Sequence, residues 1–373
     1  MRSNPQVTIN RHFGAVFLRI PAWIVFLVCV VICSPGPAQT SKLKSDQEVI
    51  FFPALAYPTD KGMWEVQIHG CVFEPEKRAV SLALLKELLA LDRIHLSQAE
   101  NTLLNDRARL FMVDRKGGRK IVVRLGDKIF KIGRSQTNGN FMGKLSFTPG
   151  EIQNLRKAGP QFQLVLPVTD HRVFSGEIHF LEDSGLTVIS DIDDTIKITD
   201  VRDSRATLRN TFIRPFQAVP GMPELYHLWA ETNRAEFFYV SASPWQLFSP
   251  LAEFIHSNSF PAGAFFLKTV DLNDKSFFNL FQGPELYKPG VIEPLLKQFP
   301  HRKFVLVGDS GEKDPEIYGE LARKFPKQIS HIFIRDLEDG QDHRPRYQAA
   351  FQGIPASIWK TFHEPWEIAD LSP

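Results

Sequence analysis

Three cysteines among 373 residues leave almost no scope for disulfides. Two of them, Cys29 and Cys33, fall in an N-terminal apolar stretch, so beyond residue 38 only Cys71 remains and no internal bridge can form. A chain of this length buries a sizeable core without covalent staples. Cys71 itself, in Val66-Gln-Ile-His-Gly-Cys-Val-Phe73, reads as a small buried hydrophobe. There is no excess of one charge either: 44 Lys and Arg face 42 Asp and Glu, and a formal net charge of +2 excludes wholesale attraction to nucleic acid. That excess sits in residues 1–38, which hold Arg2, Arg11 and Arg19 and no acid, leaving 41 bases against 42 acids beyond them. Also missing are Gly-x-Ser-x-Gly, a Walker Gly-x-x-x-x-Gly-Lys-Ser/Thr and His-Glu-x-x-His, which sets aside serine-elbow, P-loop and zinc-protease chemistry. With 43% hydrophobic and 23% charged residues, and Pro and Gly scattered, the chain is globular rather than disordered or collagen-like.

Long hydrophobic runs are scarce too. Ile20 to Cys33 gives fourteen nearly all apolar residues, short of the roughly 20 that span a bilayer. Arginines precede it and Ser34-Pro35-Gly36-Pro37-Ala38 follows, the layout of a signal peptide cleaved after Ala38. If Phe13 to Leu18 extends the run while Arg19 snorkels, the segment is instead an uncleaved anchor. Residues 1–38 are therefore expected to be a signal peptide or N-terminal anchor. The protein is then exported, periplasmic or secreted, or else membrane-anchored. Residues 39–48 read as a linker.

From 49 to 183 the pattern is β-rich. Strands are expected at Trp64 to Val72, Ala108 to Val113, Ile121 to Leu125, Ile129 to Ile132, Phe141 to Phe147, Phe162 to Val168 and Val173 to Phe180, with turns at Asp114-Arg-Lys-Gly-Gly118 and Leu125-Gly-Asp-Lys128. About seven strands suggest a β-sandwich. Leucines at helical spacing predict a helix over Val80 to Leu91, and Thr148-Pro149-Gly-Glu151 predicts one running to Lys157. From 184 to 340 apolar runs of four to six residues alternate with helical stretches, which predicts a Rossmann-like parallel sheet with strands at Leu186 to Ser190, Glu236 to Val240, Ala264 to Leu267, Lys303 to Val307 and Ile329 to Ile334. The fold class is thus α/β, preceded by a β-sandwich-like domain. Residues 341–373 form a tail whose Trp359, Phe362, Pro365 and Trp366 suggest docking on the body or an interfacial anchor.

Ligands of parallel sheets bind beyond the carboxyl ends of the strands. There the sequence places Asp191-Ile-Asp193-Asp194-Thr195, then Ser241-Ala-Ser243-Pro244-Trp245, then Gly308-Asp309-Ser310-Gly311-Glu312-Lys313-Asp314, with Lys288-Pro289 opening a helix between the last two. A carboxylate directly after a strand is held rigidly, and a second one two residues on can face the same pocket, so one attacks while the other manages protons. A hard cation such as Mg²⁺ on oxygen ligands would neutralise phosphate and carboxylate charge. Plainer readings stand beside these. Asp314-Pro315-Glu316 is also an N-cap pattern, and capping and ligation are equally open for Asp314. Ser243-Pro244 is read as a cap, leaving Ser241 as the phosphate donor. Asp194 reads as a residue that satisfies backbone donors in the turn.

In order, Asp191-Ile-Asp193-Asp194-Thr195, Ser241, Lys288 and Gly308-Asp309 with Asp314 resemble the four motifs of haloacid-dehalogenase superfamily phosphatases. More narrowly, Gly185 to Lys197, Tyr239 to Gln246 and Leu306 to Tyr318 are similar to the actin-patch-associated type of phosphatidate phosphatase, and the β-rich half resembles that family's companion domain. The resemblance implies a small cap on the catalytic domain and roles for the residues. Asp191 attacks phosphorus to form an aspartyl-phosphate, and Asp193 protonates the leaving alcohol and then activates water. Thr195 supports the loop. Ser241 and Lys288 hold the phosphoryl group, and Mg²⁺ is held by Asp191, the Asp193 carbonyl, Asp309 and, directly or through water, Asp314.

Arg202, Arg205, Arg209 and Arg214 lie with Phe212 and Phe216 between Lys197 and Pro220, a segment too short for a large cap. Arg202 and Arg205 become candidate contacts for an anionic lipid headgroup. The expected function is Mg²⁺-dependent hydrolysis of phosphatidate to diacylglycerol and phosphate, with peripheral membrane contact and no obligate protein partner. The rivals are a phosphatase of soluble phosphomonoesters and a non-catalytic membrane-associated binding protein.

Overall fold

The computed structural model describes residues 39–75, 95–268, 284–337 and 343–370. The apolar leader, the helix expected over Val80 to Leu91 and Phe277-Phe278 lie outside them. Among the described residues no helix is long and apolar enough to cross a membrane.

The N-terminal domain consists of β1 (Glu48–Pro58), β2 (Trp64–Pro75), α1 (Gln98–Arg109), β3 (Val113–Arg115), β4 (Lys120–Leu125), β5 (Lys128–Arg134), β6 (Asn140–Phe147), α2 (Pro149–Ala158), β7 (Gln161–Leu164) and β8 (Ser175–Phe180). Its eight strands form one curled sheet, ordered β3-β2-β1-β8-β7-β4-β5, with β6 also on β2. The expected sandwich of two sheets is thereby corrected to a single mixed sheet. The reason is β1, for which no strand was expected. It pairs antiparallel with β2 and parallel with β8, joining the two arms. Phe51 of β1 meets Phe141 and Phe162 edge-on, at 5.5 and 4.9 Å, inside the curl.

Two further local expectations differ. Ala108 to Val113 is not a strand: Ser97 and Glu100 close a capping box that starts α1, which runs to Arg109 and leaves β3 only three residues. Leu104, Ala108, Phe111 and Met112 then enter a core shared with Val188 and Phe212 of the C-terminal half. In contrast, α2 starts as its sequence suggests, with Thr148 and Glu151 in a reciprocal capping box and Pro149 at the first position.

The C-terminal half contains β9 (Gly185–Ser190), α3 (Ser204–Phe212), α4 (Met222–Thr232), β10 (Glu236–Pro244), α5 (Phe248–Ser257), β11 (Gly263–Lys268), α6 (Pro284–Gln298), β12 (Arg302–Asp309), α7 (Asp314–Lys324), β13 (Ile329–Arg335), α8 (Arg344–Ala350) and β14 (Trp359–Phe362). The sheet is all parallel, ordered β11-β10-β9-β12-β13-β14. All five expected strands are present. The tail supplies a sixth, β14, with Phe362 buried, while Trp366 stays exposed. Strand order reverses at β9, between β10 and β12, and such a reversal opens a crevice at the strands' carboxyl ends. One apolar core covers each sheet face. Residues of β1 alternate between one of these and a third core inside the curled sheet: Ala54 and Ala56 point into the curl, whereas Leu55 and Tyr57 join the core beneath α6 and α7.

Candidate active site

Asp191 follows β9, its amide held by the Val307 carbonyl at 2.9 Å, and its side chain is almost wholly buried. Thr195 Oγ1 donates to Asp191 Oδ2 at 3.3 Å. Lys288, fully buried in α6, places Nζ 3.1 Å from Asp191 Oδ1 and 2.9 Å from Glu312 Oε2, and also pairs with Asp314. Burial works against a lysine's charge, yet Asp191, Asp314 and Glu312 together hold Lys288 well above its ordinary pKa.

Asp193 sits apart from that cluster. Ser241 and Ser243 donate to its Oδ2 at 3.0 and 2.8 Å, Thr199 donates to Oδ1 at 2.8 Å, and Lys197 Nζ lies 2.7 Å from Oδ1. Burial alone would raise this carboxyl, but Lys197's charge and the hydrogen bonds from Lys197, Thr199 and Ser243 pull it down to about 2. Asp191 goes the other way. Burial raises it well above the usual carboxylate range, and the charges of Asp314, Glu312 and Asp309 add to that against Lys288. Two carboxyls two residues apart thus have opposite electrostatic settings.

Asp309 ends β12. Its Oδ1 accepts from the amides of Gly311 and Glu312, while Oδ2 is buried with no hydrogen-bond partner among the described residues. Burial, then Asp314 and Glu312, raise its pKa well above the ordinary range. Asp314 begins α7 but makes no side-chain cap there. Its Oδ2 takes the Asp309 amide at 3.3 Å, and its Oδ1 takes Lys288. Of the two open readings, the structure places this residue in the cluster. Gly308 allows the approach, since a Cβ there would lie 2.7 Å from Asp314 Cβ and closer still to its Oδ2.

One oxygen each from Asp191, Asp309 and Asp314 lie within 4.8 Å of one another, all buried. Asp191, Asp309, Asp314 and Glu312 around one ammonium leave negative charge in a low-dielectric pocket, and Asp309 Oδ2 has no partner among the described residues. A hard cation on oxygen ligands fits this set.

Residues 186–336 match the model of the family described as phosphatidate phosphatase APP1, catalytic domain. The phosphatidate phosphatase APP1 of Saccharomyces cerevisiae is 34% identical over 268 residues, 68% of this chain and 44% of the yeast protein. These residues belong to the APP1 catalytic-domain family. An uncharacterised protein of Schizosaccharomyces pombe is 32% identical over 171 residues, 44% of this chain and 27% of that one. The chain thus spans less than half the length of either relative.

Within this APP1 domain, the structure corrects or extends several site expectations. Ser243 is not a cap, because the helical turn after it starts at Trp245 with no side-chain cap; its hydroxyl goes to Asp193. Asp194 behaves as its turn reading suggests. Left-handed at φ 56°, it accepts the amides of Thr199, Asp200 and Val201 and offers its carbonyl to Arg335. Lys197, Thr199 and Glu312 were not singled out from the sequence. The one available signal was a cation four residues after Asp193. Arg202 lines a polar basin of about 720 Å³ with Asp194, Asp200, Arg214 and Arg335. Arg205 does not line it and is exposed in the first turn of α3, where Asp203 caps its amide.

Proposed function

We propose that the chain is a Mg²⁺-dependent phosphatidate phosphatase that releases diacylglycerol and phosphate. The observation that carries this reading is the buried Asp191, Lys288, Asp309 and Asp314 cluster beside the separately set Asp193, inside an APP1 catalytic domain. The Rossmann-like sheet is read as haloacid-dehalogenase-like, with the short segment around α3 as its small cap and domains at 49–183 and 184–340. Export from the cell is proposed on the leader's pattern alone.

Asp191 would attack phosphorus, forming an O–P bond while the ester P–O bond breaks. The departing alkoxide takes a proton from Asp193. Water then attacks the aspartyl-phosphate, gives its proton to Asp193, and phosphate leaves as the P–O bond to Asp191 breaks. In the resting site Asp193 is ionised; an incoming phosphate dianion adds negative charge nearby and favours its protonation. Ser241 would turn its hydroxyl from Asp193 to a phosphoryl oxygen, and Lys288 would share its charge between Asp191 and the phosphate. Thr195 keeps Asp191 aimed. Mg²⁺ held by Asp191, Asp309, Asp314 and the Asp193 carbonyl would neutralise phosphate and carboxylate charge.

The basin lined by Arg202, Arg214 and Arg335 favours a second reading, hydrolysis of small soluble phosphomonoesters. The test is phosphate release, with and without Mg²⁺, from phosphatidate in mixed micelles and from sugar and nucleotide phosphates. Turnover of phosphatidate well above the soluble esters supports the first reading. Equal or better turnover of the soluble esters supports the second, and no metal-dependent turnover of any ester overturns both.

A further inference from the structure

Where the curled sheet meets the β11 edge of the parallel sheet, a cleft of about 470 Å³ opens, within the roughly 300–1,000 Å³ of small-molecule sites. Phe52 of β1, Trp245, Phe266 and Leu267 of β11, and Tyr287 and Val291 of α6 form much of its wall. None of the residues lining it carries an acidic side chain, and its one basic group, His69, is pushed down to about 4 by burial, in contrast to the carboxylate-rich centre.

Three of these residues adjoin catalytic positions. Leu267 is the strand partner of Ser241, Trp245 follows Ser243 by two residues, and Tyr287 directly precedes Lys288. Trp245 is wedged against Phe52 and Phe73 from the other domain, at ring separations of 6.1 and 6.2 Å. Its indole N–H is buried and has no acceptor among the described residues. A cleft without acidic groups, walled by neighbours of Ser241, Ser243 and Lys288 and carrying a spare donor on Trp245, matches a molecule that is anionic at one end and apolar at the other, joined through ester carbonyls. We infer that this interdomain cleft receives an acyl chain of the phosphorylated lipid whose phosphate binds at Asp191, with Trp245 donating to the ester carbonyl. The assignment rests on the phosphatidate reading above. It gives the N-terminal domain a part in substrate recognition, because one wall of the cleft is β1 and β2.

Gly290 offers a mild way to fill the cleft. It lines the wall, and a Cβ added there meets nothing within 4 Å. Gly290→Leu, with Val291→Trp as an independent second variant, is assayed with Mg²⁺ on monomeric dihexanoyl and dioctanoyl phosphatidate and on p-nitrophenyl phosphate. The wild type should gain about fourfold in kcat/KM per methylene buried, the equivalent of ~0.8 kcal/mol. Both variants should lose about tenfold on dioctanoyl phosphatidate, chiefly through KM, flatten the chain-length dependence and keep their activity on p-nitrophenyl phosphate. In the metal-free wild type, a phosphatidate with brominated chains should quench tryptophan fluorescence, and Trp245→Phe should remove most of that quenching. Equal losses on all substrates, or full retention of chain-length dependence in both variants, overturns the cleft assignment while leaving phosphatidate hydrolysis standing. A wild type that cleaves p-nitrophenyl phosphate but no phosphatidate overturns the reading beneath it, and the assignment with it.

Discussion

Lys197 Nζ stands 2.7 Å from Asp193 Oδ1, with both side chains largely shut off from water. The Lys197 ring contact adds to the enclosure, for Nζ also lies 4.8 Å from the centre of Phe216. The pair fixes Asp193 as a carboxylate at rest.

Removing one member of such a buried pair leaves an uncompensated charge. Lys197→Met should destabilise the protein by about 3–5 kcal/mol at neutral pH. Asp193 has a lowered folded pKa, so its contribution is present above the unfolded value near 4 and is lost as pH falls through about 2. In Lys197→Met that benefit is gone, and the difference from wild type should narrow as acid neutralises Asp193. Urea unfolding at pH 7 and pH 4 measures this, and Asp193→Asn added to Lys197→Met should recover much of the loss. A Lys197→Met protein as stable as wild type at pH 7 would contradict the pairing.

Asp191→Asn separates chemistry from stability. Phosphate release should drop at least about 10³-fold, as for loss of a nucleophile. Yet the metal-free variant should melt higher than wild type, because Asp191 ionises against burial and its neighbours. Raised carboxyl pKa values cost stability at neutral pH, and the cost is relieved as pH falls toward them. Mg²⁺ should raise the melting temperature of wild type and do so much less for Asp191→Asn. Thermal scans in chelator and in excess Mg²⁺ check both statements.

Gly308→Ala tests the crowding at the cluster. Its methyl would press on Asp314, which has no room to retreat at zero exposure. A loss of about 1–3 kcal/mol is expected, with weaker Mg²⁺ stabilisation. Calorimetric titration of Mg²⁺ against Gly308→Ala and wild type reads the second effect directly.

His69, on β2 beside the interdomain cleft, is pushed down to about 4 by burial, with a hydrogen bond to the Pro53 backbone offsetting part of that. A depressed histidine binds its proton more readily when unfolded, so stability should fall as pH drops from about 6.5 to 4 and level off below. The loss amounts to no more than about 3 kcal/mol. His69→Gln should flatten the stability profile across that window. An unchanged slope would show that His69 titrates normally.

The parallel strands were legible because a strand buried on both faces must be an apolar run, and Val188, Ile189, Leu306 and Val307 leave no other solution. The helix α2 was legible for a similarly local reason, the reciprocal Thr148 and Glu151 cap. By contrast, β1 was missed because its alternate residues serve two different cores, so both sets are apolar and Pro53 interrupts them. The single curled sheet follows from that strand and could not be read without it. In α1, the Ser97 and Glu100 box was present in the sequence but outweighed by the β-like run Ala108 to Val113, whose apolar residues pack on the other half of the chain.

By itself, the sequence determined where the acids and the hydroxyl would stand along the chain, since each follows a strand or opens a helix and those elements are set by local patterning; Lys288, expected to open a helix, instead lies a turn inside α6, which starts at Pro284. The pairings were decided by the tertiary structure alone. Ser243 had an equally good local use as a cap, and Asp314 had one too, until β10 and α6 brought Asp193 and Lys288 within hydrogen-bonding distance. Local propensity operates over a few residues, whereas the charge on a buried carboxyl depends on whatever the fold packs within a few ångströms of it.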